Sequence, residues 1–184
     1  MPAQRPLPTT LADNDQDGYQ DPYHSNTILG VGESYDYMSL YSNQHIGGLR
    51  YQLPVPRGAQ ILAATLSANF NNEQTDSPRL AIQAERTDNA PAMNGSDAYE
   101  LSNKTKTWAS AIWNADNLGT GWHDSPDLKN VIQAIVNRDD WQSNNHILLI
   151  LTNYPDDNGE GLDFYQREGS NPGAKLNIGW EIGQ

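Results

Sequence analysis

The 184-residue chain sets 23 acidic side chains against 11 basic ones, a formal charge of −12, and it has no cysteine. That balance argues against a duplex nucleic-acid partner and against direct adsorption to anionic lipid, because both need clustered Lys and Arg. The missing cysteine removes disulfides, zinc-thiolate sites and cysteine nucleophiles together, and no apolar run is long enough to insert in a membrane as a helix.

Residues 1–12 read as an extended N-terminal arm, rich in proline at Pro2, Pro6 and Pro8. They lack the apolar stretch of a signal peptide, so either a leader has been removed or none was needed. The arm is expected to pack against a neighbouring subunit or back on its own domain, and self-association through it is the expected partner contact.

A single β-sandwich domain is expected over residues 13–184, opening with a calcium loop at 13–24. Asp13, Asp15 and Asp17 recur at alternate positions, Gly18 follows, and Asp21 lies three residues on. Ca²⁺ is a hard cation that takes about six to eight oxygens, and alternate carboxylates in a tight turn converge on one point. The carbonyl of Tyr19 stands where such loops supply a backbone oxygen. The loop departs from the helix-loop-helix pattern: its twelfth position is His24 rather than a bidentate Glu, and Pro22 disfavours helix at Asp21. A calcium loop on a β scaffold follows, with further ligands from a second acidic cluster, Asp156, Asp157, Asn158 and Glu160. The alternative is an acidic, solvated turn.

Short alternating segments come next, the β signal. They are Tyr35–Tyr41, Gly48–Leu53, Ala64–Phe70 and Leu80–Glu85. Thr105–Trp113 reads as a strand with a Trp on each face, and Ile147–Leu151 as a buried strand. Leu162 with Phe164, then Leu176, Ile178, Trp180 and Ile182, give two closing strands. One segment has helical period: Leu128, Val131, Ile132 and Ile135 predict a helix over 126–137. Ser125 is its expected N-cap and Pro126 its first residue, while Arg138 complements the dipole. Many short strands, turn residues between them and one crossing helix argue for an antiparallel β-sandwich of the jelly-roll type.

Several stretches carry a family resemblance in their order and spacing. These are Gly48–Tyr51, Pro56–Leu66, Leu80–Glu85, Thr107–Trp113, Pro126–Trp141 and Phe164–Leu176. Together they resemble the DNRLRE or disaggregatase-related β-sandwich domains over about residues 17–180. Such domains are similar to carbohydrate-binding jelly rolls. The resemblance implies an appendage of secreted or surface proteins, with some members binding acidic polysaccharide and with no shared catalytic residues. The Phe164–Leu176 stretch resembles the family's closing hairpin.

No catalytic residues are assigned. Hydrolysis would use paired carboxylates across a cleft, and an acid-rich sequence marks no particular pair. His24, His45, His123 and His146 show no metal spacing. Five Trp and nine Tyr against two Phe favour rings with a polar edge at a wet surface. The expected glycan-binding residues are Tyr19, Tyr23, Tyr35, Tyr37 and Trp122, the last in a loop. Three of the five Trp are expected in structural roles, drawn from Trp108 or Trp113, Trp141 and Trp180. Two sequons, at Asn94 and Asn103, read as accidental in an Asn-rich chain.

Two functions fit. The first is a non-catalytic, calcium-stabilised structural or adhesive subunit of an extracellular particle, such as a virion decoration protein or a surface filament. The second is a carbohydrate-binding module of a secreted or surface polysaccharide-processing system.

Overall fold

The computed structural model describes residues 9–13, 16–20, 28–29, 37–40, 45–71, 78–95, 97, 99–154, 162–166 and 173–182. Two antiparallel sheets face one another. The first holds β1 (Thr9–Asp13), β4 (Tyr37–Leu40), β6 (Gln60–Phe70), β9 (Gly121–Asp124), β11 (Leu162–Tyr165) and β12 (Lys175–Glu181). The second holds β2 (Gln16–Gln20), β3 (Ile28–Leu29), β5 (Ile46–Gln52), β7 (Arg79–Ala84), β8 (Ala111–Asn114) and β10 (His146–Asn153). Among the described residues one helix, α1 (Lys129–Val136), packs its Val131, Ile132, Ile135 and Val136 face into the core. This is the antiparallel β-sandwich expected from the strand pattern, with successive strands from β4 to β7 crossing between the sheets in the jelly-roll manner.

The first sheet is organised by β6. Ala64, Leu66, Ala68 and Phe70 are buried, while Thr65, Ser67 and Asn69 between them are half-exposed. A period of two assigns one side of the strand to the core and the other to solvent. Ser67 pairs with Lys175 of β12 and with Asp124 of β9, so these strands flank β6 on opposite edges. Phe70 likewise pairs with Phe164 of β11 and Gly121 of β9. β11 and β12 therefore follow one another along the same edge of β6, instead of pairing as a closing hairpin.

The second sheet is covered on both sides. In β10 the run Ile147–Leu151 is wholly buried, as its unbroken apolar character requires. Leu149 and Leu151 face the core between the sheets. Leu148 and Ile150 lie beneath Ala90, Met93 and Leu101, which arrive on the long 86–104 segment. Gly48 leaves room for that cover: a Cβ there would stand 2.9 Å from Leu101 Cδ2 and from Met93 Sδ. The segment is pinned at its root. The Arg138 guanidinium donates to both Asp88 oxygens (2.7 and 3.3 Å), and Ala90 N–H donates to His146 O (2.8 Å).

Four sequence expectations are corrected. Residues 9–12 of the expected arm belong to β1, which pairs with Gly179–Lys175 of β12, because Leu11 and its neighbours gain a full ladder there; residues 1–8 lie outside the described residues. Gly18 is not at a bend: residues 16–20 are extended, with Gly18 opposite Gly48. The 105–113 stretch is not one continuous strand: Lys106 bridges Glu85 on its own, and β8 begins only at Ala111, after the ladder is interrupted. The helix begins at Lys129, with no side-chain bond from its N-cap Leu128. The Ser125 hydroxyl is spent on β6, accepting from Leu66 N–H (3.0 Å). Asp127 accepts from Lys129 N–H (2.9 Å) and Ala64 N–H (3.0 Å), joining the first turn to the sheet.

Candidate functional site

The solvent side of the first sheet carries the most organised exposed chemistry among the described residues. It follows from register. Residues directly opposite in an antiparallel ladder share a face. Lys175, Ser67 and Asp124 form one row across β12, β6 and β9. Neighbouring strands lie about 4.8 Å apart, so the row spans about 10 Å. Trp122 and Asn69 form the next row toward one end, and Asn177 with Thr65 the next toward the other.

Trp122 is 44% exposed, although it belongs to a strand. The loop expected for Trp122, His123 and Asp124 is thus a short ladder on β6, whose alternation turns Trp122 and Asp124 outward and leaves His123 half-buried. His123 is held on the other side: its ring lies 5.0 Å from that of Phe70, and its Nε2 is 2.8 Å from Gly119 O. Phe70 in turn packs 5.5 Å from the buried Trp113. A stack of core rings therefore backs the strand that presents Trp122.

The polar groups on this face are ordered by one another. Ser67 Oγ donates to Asp124 Oδ1 and accepts from Asn177 Nδ2 (3.3 Å). Lys175 Nζ lies 5.3 Å from the centre of the Trp122 ring, within cation–π range. The face thus offers one aromatic ring, one ammonium, one carboxylate and several amide and hydroxyl groups on one side of the sheet.

Of the other expected glycan-binding residues, Tyr19 and Tyr37 stand in β2 and β4, whereas Tyr23 and Tyr35 lie outside the described residues. Tyr19 is in the second sheet, opposite Gly47, so it does not share the Trp122 face.

The expected calcium residues fall on both sheets. Asp13 ends β1, while Asp17 is in β2, opposite Leu49, and fully buried. Asp15, Asp21, Asp156, Asp157, Asn158 and Glu160 lie outside the described residues. Among the described residues no group of three or more His, Cys, Asp or Glu side chains gathers as a metal site.

Sequence reasoning missed Trp108. The ring is 92% exposed, whereas Trp113 is 2% and Trp141 is 1% exposed. Trp180 packs against the core, so three of the five Trp have the structural role expected. Lys175, Ser67, Asn69 and Asn177 were missed as well, because only the sheet register brings them together.

No family model matches the chain, and no curated protein is similar to it. Among solved structures it is similar to the CBM36-1 domain of a multidomain xylanase from the hindgut metagenome of Trinervitermes trinervoides. The TM-score is 0.40 at 12% identity, over 96% of this chain and 100% of that one. At those values the likeness assigns no ligand and no residue roles, and the functional reading rests on the side chains of this chain.

Proposed function

We propose that the outer face of the first sheet is a carbohydrate-binding surface with Trp122 as its stacking platform. The observation that carries this is the outward Trp122 beside a row of mutually ordered polar groups, Asp124, Ser67 and Asn177. A sugar ring has apolar C–H faces and a rim of hydroxyls. The first are matched by an exposed indole and the second by fixed donors and acceptors. Lys175 adds a donor over the Trp122 ring. The surface works by complementarity alone, so the chain is read as a binding module and not as a hydrolase.

A bound Ca²⁺ would support this face without touching the sugar. The carboxylates of Asp13, Asp15 and Asp17 are the hard oxygen donors this ion takes. Asp13 closes the strand beside Lys175, and Asp17 is buried in the facing sheet. An ion held by this set would join the two sheets where β1 gives way to β2.

Affinity electrophoresis tests the reading, with gels containing soluble neutral glucan, soluble xylan or polygalacturonate. The wild-type chain is expected to be retarded by at least one of them, and Trp122→Ala to be retarded about tenfold less or more weakly still in the same gel. A wild type that no polysaccharide retards, or a Trp122→Ala chain retarded as strongly as wild type, would sink the proposal.

A further inference from the structure

We infer that Trp108 is a second sugar-stacking platform, separate from Trp122, so that one chain bridges two polysaccharide strands. The inference rests on the carbohydrate-binding reading of the Trp122 face.

Trp108 presents up to about 250 Å² of ring to water, and it is held there by design of the local backbone. Its neighbour Thr107 is buried and bonded on every side. Thr107 N–H donates to Ala84 O (2.8 Å), its carbonyl accepts from Gln83 Nε2 (2.6 Å), and its hydroxyl donates to Ala109 O (2.8 Å) while accepting from Ala84 N–H (3.1 Å). Two residues earlier, Thr105 O accepts from Arg86 N–H (2.7 Å). The backbone just before Trp108 is therefore tied to residues 83–86, and Trp108 follows directly with its ring in solvent. Pre-organisation of this kind lowers the ordering cost of binding.

The surroundings select the ligand. Thr105 and Ser110, the nearest exposed neighbours in the chain, both carry hydroxyls, and Lys106 is half-buried beside them. Among the described residues the other large exposed apolar side chains are Tyr99, Trp122 and Ile182, none of them within this turn. A stable protein partner needs a contiguous apolar patch of several hundred Å². A single ring set among hydroxyls instead suits the C–H face of one sugar with its rim of hydroxyl groups. Trp108 belongs to the approach to β8, at the edge of the second sheet, whereas Trp122 is on β9 of the first. The two rings are thus presented from different sheets, and in this reading each takes its own strand.

The test uses the full chain with the polysaccharide that retards it, in two readouts: gel retardation, and light scattering from a mixture of protein and soluble polysaccharide. Trp108→Ala removes only an exposed ring, so the fold is expected to survive. The wild type should raise scattering by cross-bridging. Trp108→Ala and Trp122→Ala should each abolish that rise, each lowering retention about tenfold or more as avidity is lost, and the double variant should bind nothing. If Trp108→Ala scatters and binds as wild type while Trp122→Ala loses binding, the second platform is overturned and the first stands. If Trp122→Ala behaves as wild type while Trp108→Ala loses binding, the pair is overturned. A wild type that binds no polysaccharide overturns both. A wild-type dimer that Trp108→Ala converts to monomer would assign the ring to a second copy of the chain and overturn the sugar reading.

Discussion

Replacing Thr107 by Val keeps its shape and removes one hydroxyl. The residue is 3% exposed, so the loss is not repaired by water. Ala84 N–H points toward Thr107, because the next amide, Glu85 N–H, is already spent on Leu148 O (2.9 Å) on the other side of the strand. Valine thus strands a buried backbone donor, at a cost of about 1–3 kcal/mol. Ala109 O, which loses the other bond, is half-buried and costs about 1 kcal/mol. The sum is about 2–4 kcal/mol. With an m-value of about 2 kcal/mol per molar in urea, the unfolding midpoint should fall by about 1–2 M at unchanged slope. Thr107→Ser retains the hydroxyl and should lose much less. A midpoint for Thr107→Val within about 0.3 M of wild type, or an equal loss for Thr107→Ser, would refute the reasoning that these bonds hold the turn under Trp108.

Four further outcomes are expected. Trp141→Phe removes the donor that Val55 O accepts at 2.9 Å in the core, and should cost about 1–3 kcal/mol in calorimetry, before any cavity effect. Gly48→Val forces atoms against Leu101 and Met93; it should destabilise by about 1–3 kcal/mol and speed amide exchange across 86–104. Burial lowers the Lys106 pKa from 10.5, so the unfolded chain binds the proton more readily. Stability should therefore rise as pH climbs from the lowered pKa toward 10.5, and the difference between wild type and Lys106→Met in urea melts should show that slope. Chelator should lower the melting temperature if the Asp13–Asp17 loop holds Ca²⁺, since an ion at about 100 times its Kd contributes about 2.7 kcal/mol. The double variant Asp15→Ala with Asp17→Ala should be insensitive to chelator, and a wild-type melt unmoved by chelator would refute the ion.

Fold class was legible because its signal is local. The alternation in Ala64–Phe70 and Leu80–Ala84 is set by the pleat of each strand, and the apolar run Ile147–Leu151 by burial on both sides. The candidate site was only partly legible, because it is made by register. Nothing in the sequence marks Ser67, Asp124 and Lys175 as neighbours, which two different ladders bring into one row. Trp122 was expected at the surface, but for its loop-like neighbours; it is exposed because a strand alternation turns it outward. The helix start was misplaced for a related reason. Ser125 has the chemistry of an N-cap, but the approach of β6 offers its hydroxyl the Leu66 amide, and a tertiary bond displaced the local one.

The fates of the tryptophans follow from the same competition between local pattern and tertiary demand. Thr107 and Trp108 are adjacent, and in a continued strand Trp108 and Trp113 would face opposite sides, one of them inward. Trp113 takes the inward place against Phe70. Trp108 loses its place where the ladder is interrupted: Thr107, a small residue able to donate and accept, makes one ladder bond to Ala84 O and three further bonds through its carbonyl and hydroxyl. The turn thus gains hydrogen bonds while its largest apolar side chain is left in water. Folding alone gives no return for that exposure, which at about 25 cal/mol per Å² forgoes several kcal/mol. A rigid, fully presented ring is what a stacking ligand uses, so the exposed Trp108 and the outward Trp122 call for one kind of explanation.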